Sequence, residues 1–598
     1  MLIILALTFV AYFNVIFADF VSWDDADFTV NNKDVKTFDI KSFFSNFYLG
    51  NYVPLTMMSF SVDYLFGKDN TWVYHFHNIL LHGVVSIFVF FLFNSIQSNK
   101  QVALFTALIF ALHPMQTESV SWVSERKNLV CGLFYLLTLL SYIRYIKSEN
   151  LKNYFIVIIP FIFALFSKGM AVSLPFTLFA IDIWLNRKFN KKLVLEKIPF
   201  FILSVIFGII AIKAQSSAGF LKIDQDFSLL QKIQFSGYAF MQYVLKLFIP
   251  LGLSAVYPYP NSSFNFVFLS GILFFLITLF IFFYTLKTNR KTLAGGLLFF
   301  IGNIIFVLQF FAQGAVLMAD HYIYIASLGI IFPSVIFIFS IIKKTNFPIL
   351  ASSILVLFCL FATHFRNNVW KNNIVFWEDV VKKYPNSEIA LSSLGSEYML
   401  KNNDTKAISC FNKAIDLNPN YLKAYYNRGL FFAKKMLLRE ALLDFTKAIE
   451  LGRYSKAYLS RAEVYYNLKN YPKTFSDLDF VLNEDPNNIG ANFVSGNCYS
   501  DLNQLEKAIF FYTKCISLNP NEPTFYLKRA IALGKQQKFN ECLNDLNTCT
   551  TINPNFAEAF YWKGVAKIIL KQNPCSDLEK ALSLGYVVAR DSYSKYCK

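Results

Sequence analysis

Up to about residue 365 the chain alternates long apolar runs with short polar connections. Beyond about 386 it changes to amphipathic stretches whose apolar positions return every three to four residues. A hydrocarbon core of ~30 Å needs roughly 20 mostly apolar residues per helical span. On that criterion the runs near 1–18, 77–97, 102–122, 129–146, 154–168, 170–185, 198–215, 264–286, 293–313, 324–342 and 347–364 predict eleven spans. The first has no basic n-region and no small-residue cleavage site, so it reads as an uncleaved anchor. The stretch 237–256 is also apolar, but a full crossing there would put acidic and basic loops on one side. A re-entrant or interfacial helix is expected instead.

The amphipathic third is periodic. Asn418-Pro419, Asp485-Pro486, Asn519-Pro520 and Asn553-Pro554 are spaced by 67, 34 and 34 residues, one double and two single steps of a 34-residue TPR repeat. KAISCFNKAIDLNPN, EALLDFTKAIELG and KAIFFYTKCISLNPN repeat one helix, with Ala414, Ala448 and Cys515 where helices must approach closely and Pro ending the unit. The whole chain is therefore predicted all-α: a polytopic membrane bundle over 1–365, a linker over 366–385, and a TPR solenoid over 386–598 with about five repeats and a capping unit. Stacked repeats form a curved groove suited to an extended peptide, and stiffening or self-association are the alternatives.

Composition agrees with the bilayer assignment: 55% hydrophobic, 18% aromatic, 16% charged, 68 Phe. The net charge of +17 does not indicate nucleic acid, because many of the Lys and Arg sit in short loops between apolar runs or along TPR helices. One alternating set of loops is basic: Lys100; Arg144, Lys147 and Lys152; Arg187, Lys188, Lys191, Lys192 and Lys197; Lys287, Arg290 and Lys291; Lys343 and Lys344. These loops are expected on the cytoplasmic side. The opposite set begins with 19–76, which holds eight Asp, four Lys and no Arg. An odd number of spans then puts the N-terminus in the cytoplasm and the TPR unit across the membrane. The nine Cys show no CxxC and no zinc-type spacing. Cys542 with Cys549 or Cys575 with Cys597 could pair in an oxidising compartment, but buried helix-packing thiols are the expectation.

Polar groups cluster at four places on the far side. Asp24 and Asp25, in FVSWDDADFTVNN, follow the first span and suit a general base or a cation, although a solvated turn is the default for such a string. HPMQTESVSWVSERKNLV brings His113, Glu118, Glu125, Arg126 and Lys127 between the third and fourth runs, where a guanidinium beside an ammonium suits a phosphate; lipid-headgroup contact is the alternative. Lys168 interrupts two apolar runs in SKGMAVSLPF, and Asp320, His321 and Tyr322 open MADHYIYIASLG, both places where a charge can simply snorkel. An acid pair and several cations on one face fit an enzyme taking an anionic lipid-linked donor. No Walker motif, phosphate-cradling Gly-rich loop or GxSxG elbow occurs. A transporter or flippase would want its charges at mid-membrane depth.

The string WDD with the following NN, then YVPLTMMSFSVDYLFG, HFHNILLHG, LHPMQTESVSWVSERKNLVCGLFYLLTLLSYIRY, SKGMAVSLPF and MADHYIYIASLG, joined to TPRs, resembles the transmembrane-and-TPR O-mannosyltransferase-like proteins. The resemblance implies a GT-C glycosyltransferase fold and inverting transfer of mannose or another sugar from a polyprenyl-phosphate donor to a protein Ser or Thr hydroxyl, with no metal and no cofactor beyond the lipid-linked donor. By that analogy Asp24 or Asp25 is the base, and Arg126 and Lys127 are donor-phosphate ligands; the polar clusters themselves add Lys168 and His321 as further candidates for the phosphate, with His113, Glu118, Glu125, Asp320 and Tyr322 in support. The expected partners are the polyprenyl-phosphate sugar, membrane lipid and an acceptor protein or peptide delivered by the TPR groove. The Lys-, Asn-, Ile- and Phe-rich style leans bacterial, giving an inner-membrane protein with periplasmic TPRs; the alternative is the ER membrane with lumenal TPRs. A membrane-anchored TPR adaptor without catalysis is the rival reading.

Overall fold

The computed structural model describes all residues except 220–226, 260–265, 309–315, 342–345 and 598. The ends of the predicted runs 264–286, 293–313 and 324–342, with Lys343 and Lys344, lie outside the described residues. The chain divides into two compact units, Met1–Ala390 and Leu391–Lys598.

The first unit is a helical bundle with a two-stranded antiparallel ribbon, Tyr257–Pro258 against Val316–Met318. Among the described residues five helices are long and apolar enough to cross a membrane: Thr71–Ile96, Val123–Ser148, Lys191–Ser217, Phe266–Lys287 and Phe347–Trp370. Shorter apolar helices cover Leu2–Phe17, Lys100–Leu112, Leu151–Ser167, Gly169–Trp184, Lys291–Val307 and Leu328–Ile341. Each predicted run thus overlaps an apolar helix, and among the described residues six of these helices are shorter than a full crossing by length alone. The third run is corrected: its helix stops at Leu112, because the residue before Pro114 is disfavoured in the α region and His113 is extended (φ −70°, ψ 130°). The chain then turns into the protein through the short helix Thr117–Ser121, where every residue is buried.

Leu229–Phe248, covering much of the stretch expected to lie at the interface, is not among the apolar membrane-type helices. It crosses Phe266–Lys287 at a glycine pair. A Cβ on Gly271 would sit 2.5 Å from the Tyr238 amide nitrogen, so only bare backbone allows this approach. Its far end is tied to the loops of the site: Leu247 O accepts from His113 Nε2 at 3.0 Å, and Tyr243 Oη accepts from the Ala319 amide at 3.0 Å.

The segment expected as a linker over 366–385 is instead packed structure of the first unit. Helix Asn373–Lys383 is capped by the Asn372 side chain and buries Phe376, Trp377 and Val380, and Asn373 Oδ1 accepts from the Ser22 amide at 2.8 Å.

The second unit pairs Glu388–Leu400 with Asp404–Leu417, Leu422–Lys434 with Leu438–Leu451, Ser455–Asn467 with Tyr471–Glu484, Ile489–Asp501 with Leu505–Leu518, and Pro523–Lys535 with Phe539–Ile552; a shorter pair, Ala557–Ile569 and Cys575–Ser583, and the cap Ala589–Tyr596 follow. Ala414, Ala448 and Cys515 are fully buried between helices. Arg428, Arg461 and Arg529 each fork onto an aspartate sixteen residues on, Asp444, Asp477 and Asp545, stitching the two helices of a repeat. Cys575 and Cys597 form a disulfide closing the cap, against the expectation of free thiols there, whereas Cys542 and Cys549 are free and buried. The turn inside the second repeat puts exposed Met436 at φ 60°. A side chain there costs ~1–2 kcal/mol, so Met436→Gly is expected to raise the stability of the repeat unit by about 1 kcal/mol, read as a higher thermal midpoint.

Candidate functional site

The WDD turn, the 123–128 corner, the break at Lys168 and the turn at Asp320 meet at one end of the first unit. Asp25 is fully buried. Its Oδ2 accepts from the Val21 amide at 2.8 Å, and its Oδ1 accepts from the amide of Ser124 at 2.7 Å and from the Ser124 hydroxyl. Asp25 therefore latches its turn onto the corner that carries Glu125. Burial and the neighbouring Asp24 push its carboxyl up to about 7. Asp24 is different: its Oδ1 is buried with no hydrogen-bond partner among the described residues. Burial raises its pKa, while the Lys127 ammonium, the Ser124 hydroxyl and His321 act the other way and favour its anion.

Glu125 organises the cations. Lys127 Nζ lies 2.8 Å from its Oε1 and Lys168 Nζ 2.9 Å from its Oε2. Lys168 leaves helix Leu151–Ser167 in an extended conformation (φ −160°, ψ 137°), which turns it from the helix axis into the cluster, where it also donates to Asn128 Oδ1 at 2.8 Å. Two ammonium groups on one carboxylate leave the triad with a net charge of +1. His321 completes the group: its Nδ1 meets Glu118 Oε1 at 2.9 Å, its amide donates to Glu118 Oε2 at 3.1 Å, and its Nε2 stands 3.9 Å from Glu125 Oε1. Tyr322 packs its ring 4.4 Å from that of His321 and 5.8 Å from the Lys168 ammonium. Asp320 accepts from Tyr257 Oη at 2.8 Å, and burial beside Glu118 pushes it up to about 7. Beneath Lys168, Asn128, Tyr135, Asn303 and Tyr322 line a cavity of about 20 Å³, room for roughly one water.

Two predicted residues sit elsewhere. His113 accepts from the Met115 amide through Nδ1 and spends Nε2 on Leu247 O, so it fastens the chain reversal and is not part of the cluster. Arg126, next to Lys127, turns to the other side of its helix: it pairs with Asp63 Oδ2 at 2.5 Å and donates to Asn78 Oδ1 and Tyr74 O, both at 2.7 Å, with its guanidinium 4.7 Å from the centre of the Phe60 ring. At 1% exposure its donors are committed to protein, and the role of phosphate ligand does not fit it. Sequence reasoning did not find Asp63, Asn78, Ser124, Asn128 or Tyr257. Asp63, Asn78, Ser124 and Asn128 all lie within quoted motifs, but the pairing of Asp63 with Arg126 runs across 63 positions and leaves no local signal.

Residues 57–213 match the family described as dolichyl-phosphate-mannose-protein mannosyltransferase, and 395–435 and 489–522 match TPR repeats. The chain thus joins a segment matched by that family's model to segments matched as TPR repeats. That segment contains Glu118, Glu125, Lys127 and Lys168 but neither Asp24 nor His321. The chain is similar to the protein O-mannosyl-transferase TMTC3 of Mus musculus (31% identical over 159 residues, 25% of this chain and 17% of the relative). It is also similar to tmtc2 of Xenopus laevis (33% identical, 24% of this chain and 18% of the relative) and TMTC4 of Mus musculus (33% identical, 23% and 22%). It thus spans less than a quarter of the length of these curated relatives. Among solved structures, YrrB, a TPR protein, aligns at 18% identity and TM-score 0.28 over 31% of this chain and 97% of that one, and Pseudomonas aeruginosa PilF at 18% and 0.31 over 35% and 96%.

Proposed function

We propose that this membrane protein transfers mannose from a polyprenyl-phosphate donor to a Ser or Thr hydroxyl of a polypeptide. The observation that carries this reading is the pairing of one unpartnered buried carboxylate oxygen, on Asp24, with a fixed group of cations around Glu125. Asp24 removes the hydroxyl proton as the oxygen attacks the anomeric carbon. The bond from that carbon to the phosphate breaks, its electron pair leaves with the phosphate oxygen, and Lys127, Lys168 and His321 stabilise the charge that develops there. The products are the O-mannosyl polypeptide, with inverted configuration, and polyprenyl phosphate. The TPR groove delivers the acceptor.

The deciding assay offers the detergent-solubilised chain labelled polyprenyl-phosphate mannose and a Ser/Thr-rich peptide. Label in the peptide supports the reading; no transfer from a panel of lipid-linked sugars, with peptide still bound by the repeats, leaves a TPR adaptor. Lys168→Met removes a charge-assisted contact worth ~1.5–3 kcal/mol, and the donor KM is expected to rise roughly 10- to 100-fold with the acceptor KM unchanged.

The TPR unit belongs on the far side of the membrane, the periplasm of a bacterium or, failing that, the ER lumen. The Cys575–Cys597 disulfide supports an oxidising compartment for it. In intact bacterial cells made permeable at the outer membrane only, these two thiols are expected to react with a membrane-impermeant maleimide after reduction and not before. Absence of labelling after reduction would put the unit in the cytoplasm.

A further inference from the structure

Four of the seven tryptophans gather around the WDD turn: Trp23, Trp122, Trp370 and Trp377. Trp23, the residue before Asp24, lies nearly flat on Trp377, with ring centres 5.3 Å apart and planes 19° from parallel. Trp122 meets it edge-on at 6.3 Å. Trp377 is 2% exposed and is held by helix Asn373–Lys383, with its indole N–H 3.5 Å from Ser22 Oγ, so the back of Trp23 is braced. Trp23 itself stays 36% exposed.

Trp122 has two sets of neighbours. Its ring lies 6.0 Å from His321 and 5.9 Å from the Lys127 ammonium, the groups proposed for the donor phosphate, and 6.3 Å from Trp23. A group resting on Trp23 lies on the turn that carries Asp24, and Trp122 is the ring that touches both Trp23 and the donor-side His321 and Lys127. A rigid aromatic plate contributes contact area at little cost in side-chain freedom. We infer that Trp23 is the acceptor-side platform, against which the residue flanking the accepting Ser or Thr packs its apolar surface. This rests on the transferase reading for the identity of the acceptor, but not for the existence of the surface. The plate favours a flat or branched flanking residue such as Pro or Val over Gly.

Two readouts on the full-length protein in detergent test it. A Ser peptide with a photoreactive benzophenone side chain beside the serine is expected to cross-link within 22–24 or 373–377 in the native chain and to lose that cross-link in Trp23→Ala. Cross-links confined to 391–598, or unchanged in the variant, overturn the platform. Where transfer is seen, Trp23→Ala is expected to raise the acceptor KM about tenfold with the donor KM unchanged, and Trp23→Phe to stay within about twofold of native. The native preference for Val over Gly beside the serine should vanish in Trp23→Ala. A rise in donor KM alone, or no change in either, overturns the proposal. If no lipid-linked sugar is transferred while the cross-link maps to Trp23, the transferase reading falls and the polypeptide platform stands. An unchanged thermal midpoint in Trp23→Ala separates these effects from misfolding.

Discussion

Asp24→Asn is expected to remove transfer, lowering kcat by ~10³-fold or more, while the protein is made and melts as the native chain does. A positioned general base contributes ~10²–10⁴-fold, and Asn cannot accept the acceptor's proton, yet it fills the same volume and costs no hydrogen bond at Oδ1, which has none among the described residues. Asp25→Asn loses activity for another reason. Both of its oxygens receive donors from Val21 and Ser124, so an amide nitrogen must face one of these donors and the turn shifts away from Ser124. A lowered thermal midpoint accompanies that loss and does not accompany Asp24→Asn. Acidity gives a second check. Burial holds the Asp24 pKa above the ordinary carboxylate value and Lys127 pulls it down. The base works only when ionised, so activity rises with pH through that raised pKa, and Lys127→Met, which removes a cation favouring the anion, moves the rise to higher pH. Full transfer by Asp24→Asn would remove the base from the mechanism.

The difference between Asp24 and Asp25, and between Arg126 and Lys127, marks where the sequence stops being readable. Arg126 and Lys127, adjacent on one helix, point ~100° apart, and Asp24 caps the short helix that Asp25 begins, so two neighbours of the same charge give one signal in the sequence and different environments in the fold. The repeats were legible because their period, their small residues and their prolines act within 34 positions. The apolar runs were legible because hydropathy is local too. The reversal at His113-Pro114 was visible as a proline, but the apolar texture on both sides hid that the chain turns into the protein there. The helix Asn373–Lys383 falls between the last apolar run and the first repeat, where neither periodicity reaches; the burial of Phe376, Trp377 and Val380 shows that it packs. The tryptophan group draws on positions 23, 122, 370 and 377, and nothing in any one segment announces it.

Arg126→Ala is expected to cost about 3–5 kcal/mol of stability, the usual effect of removing one partner of a buried ion pair, and to appear as poor expression and a lowered thermal midpoint. The guanidinium is 1% exposed and holds Asp63, itself 1% exposed, together with the Asn78 side chain and the Tyr74 carbonyl. Its removal leaves the Asp63 carboxylate buried, with His77 its remaining ion-pair partner among the described residues. A phosphate ligand would behave in the opposite way: Arg126→Ala would fold normally and show a raised donor KM. The double variant Arg126→Met with Asp63→Leu separates the two accounts. It removes both charges and fills the space with apolar side chains between Phe60 and Tyr74, so much of the lost stability should return. If Arg126 served the donor, the double variant would recover stability but keep a raised donor KM, with transfer returning only at high donor concentration. If it serves the fold, as its contacts indicate, the double variant recovers both stability and transfer, because Lys127, Lys168 and His321 still stand on the other side of the helix.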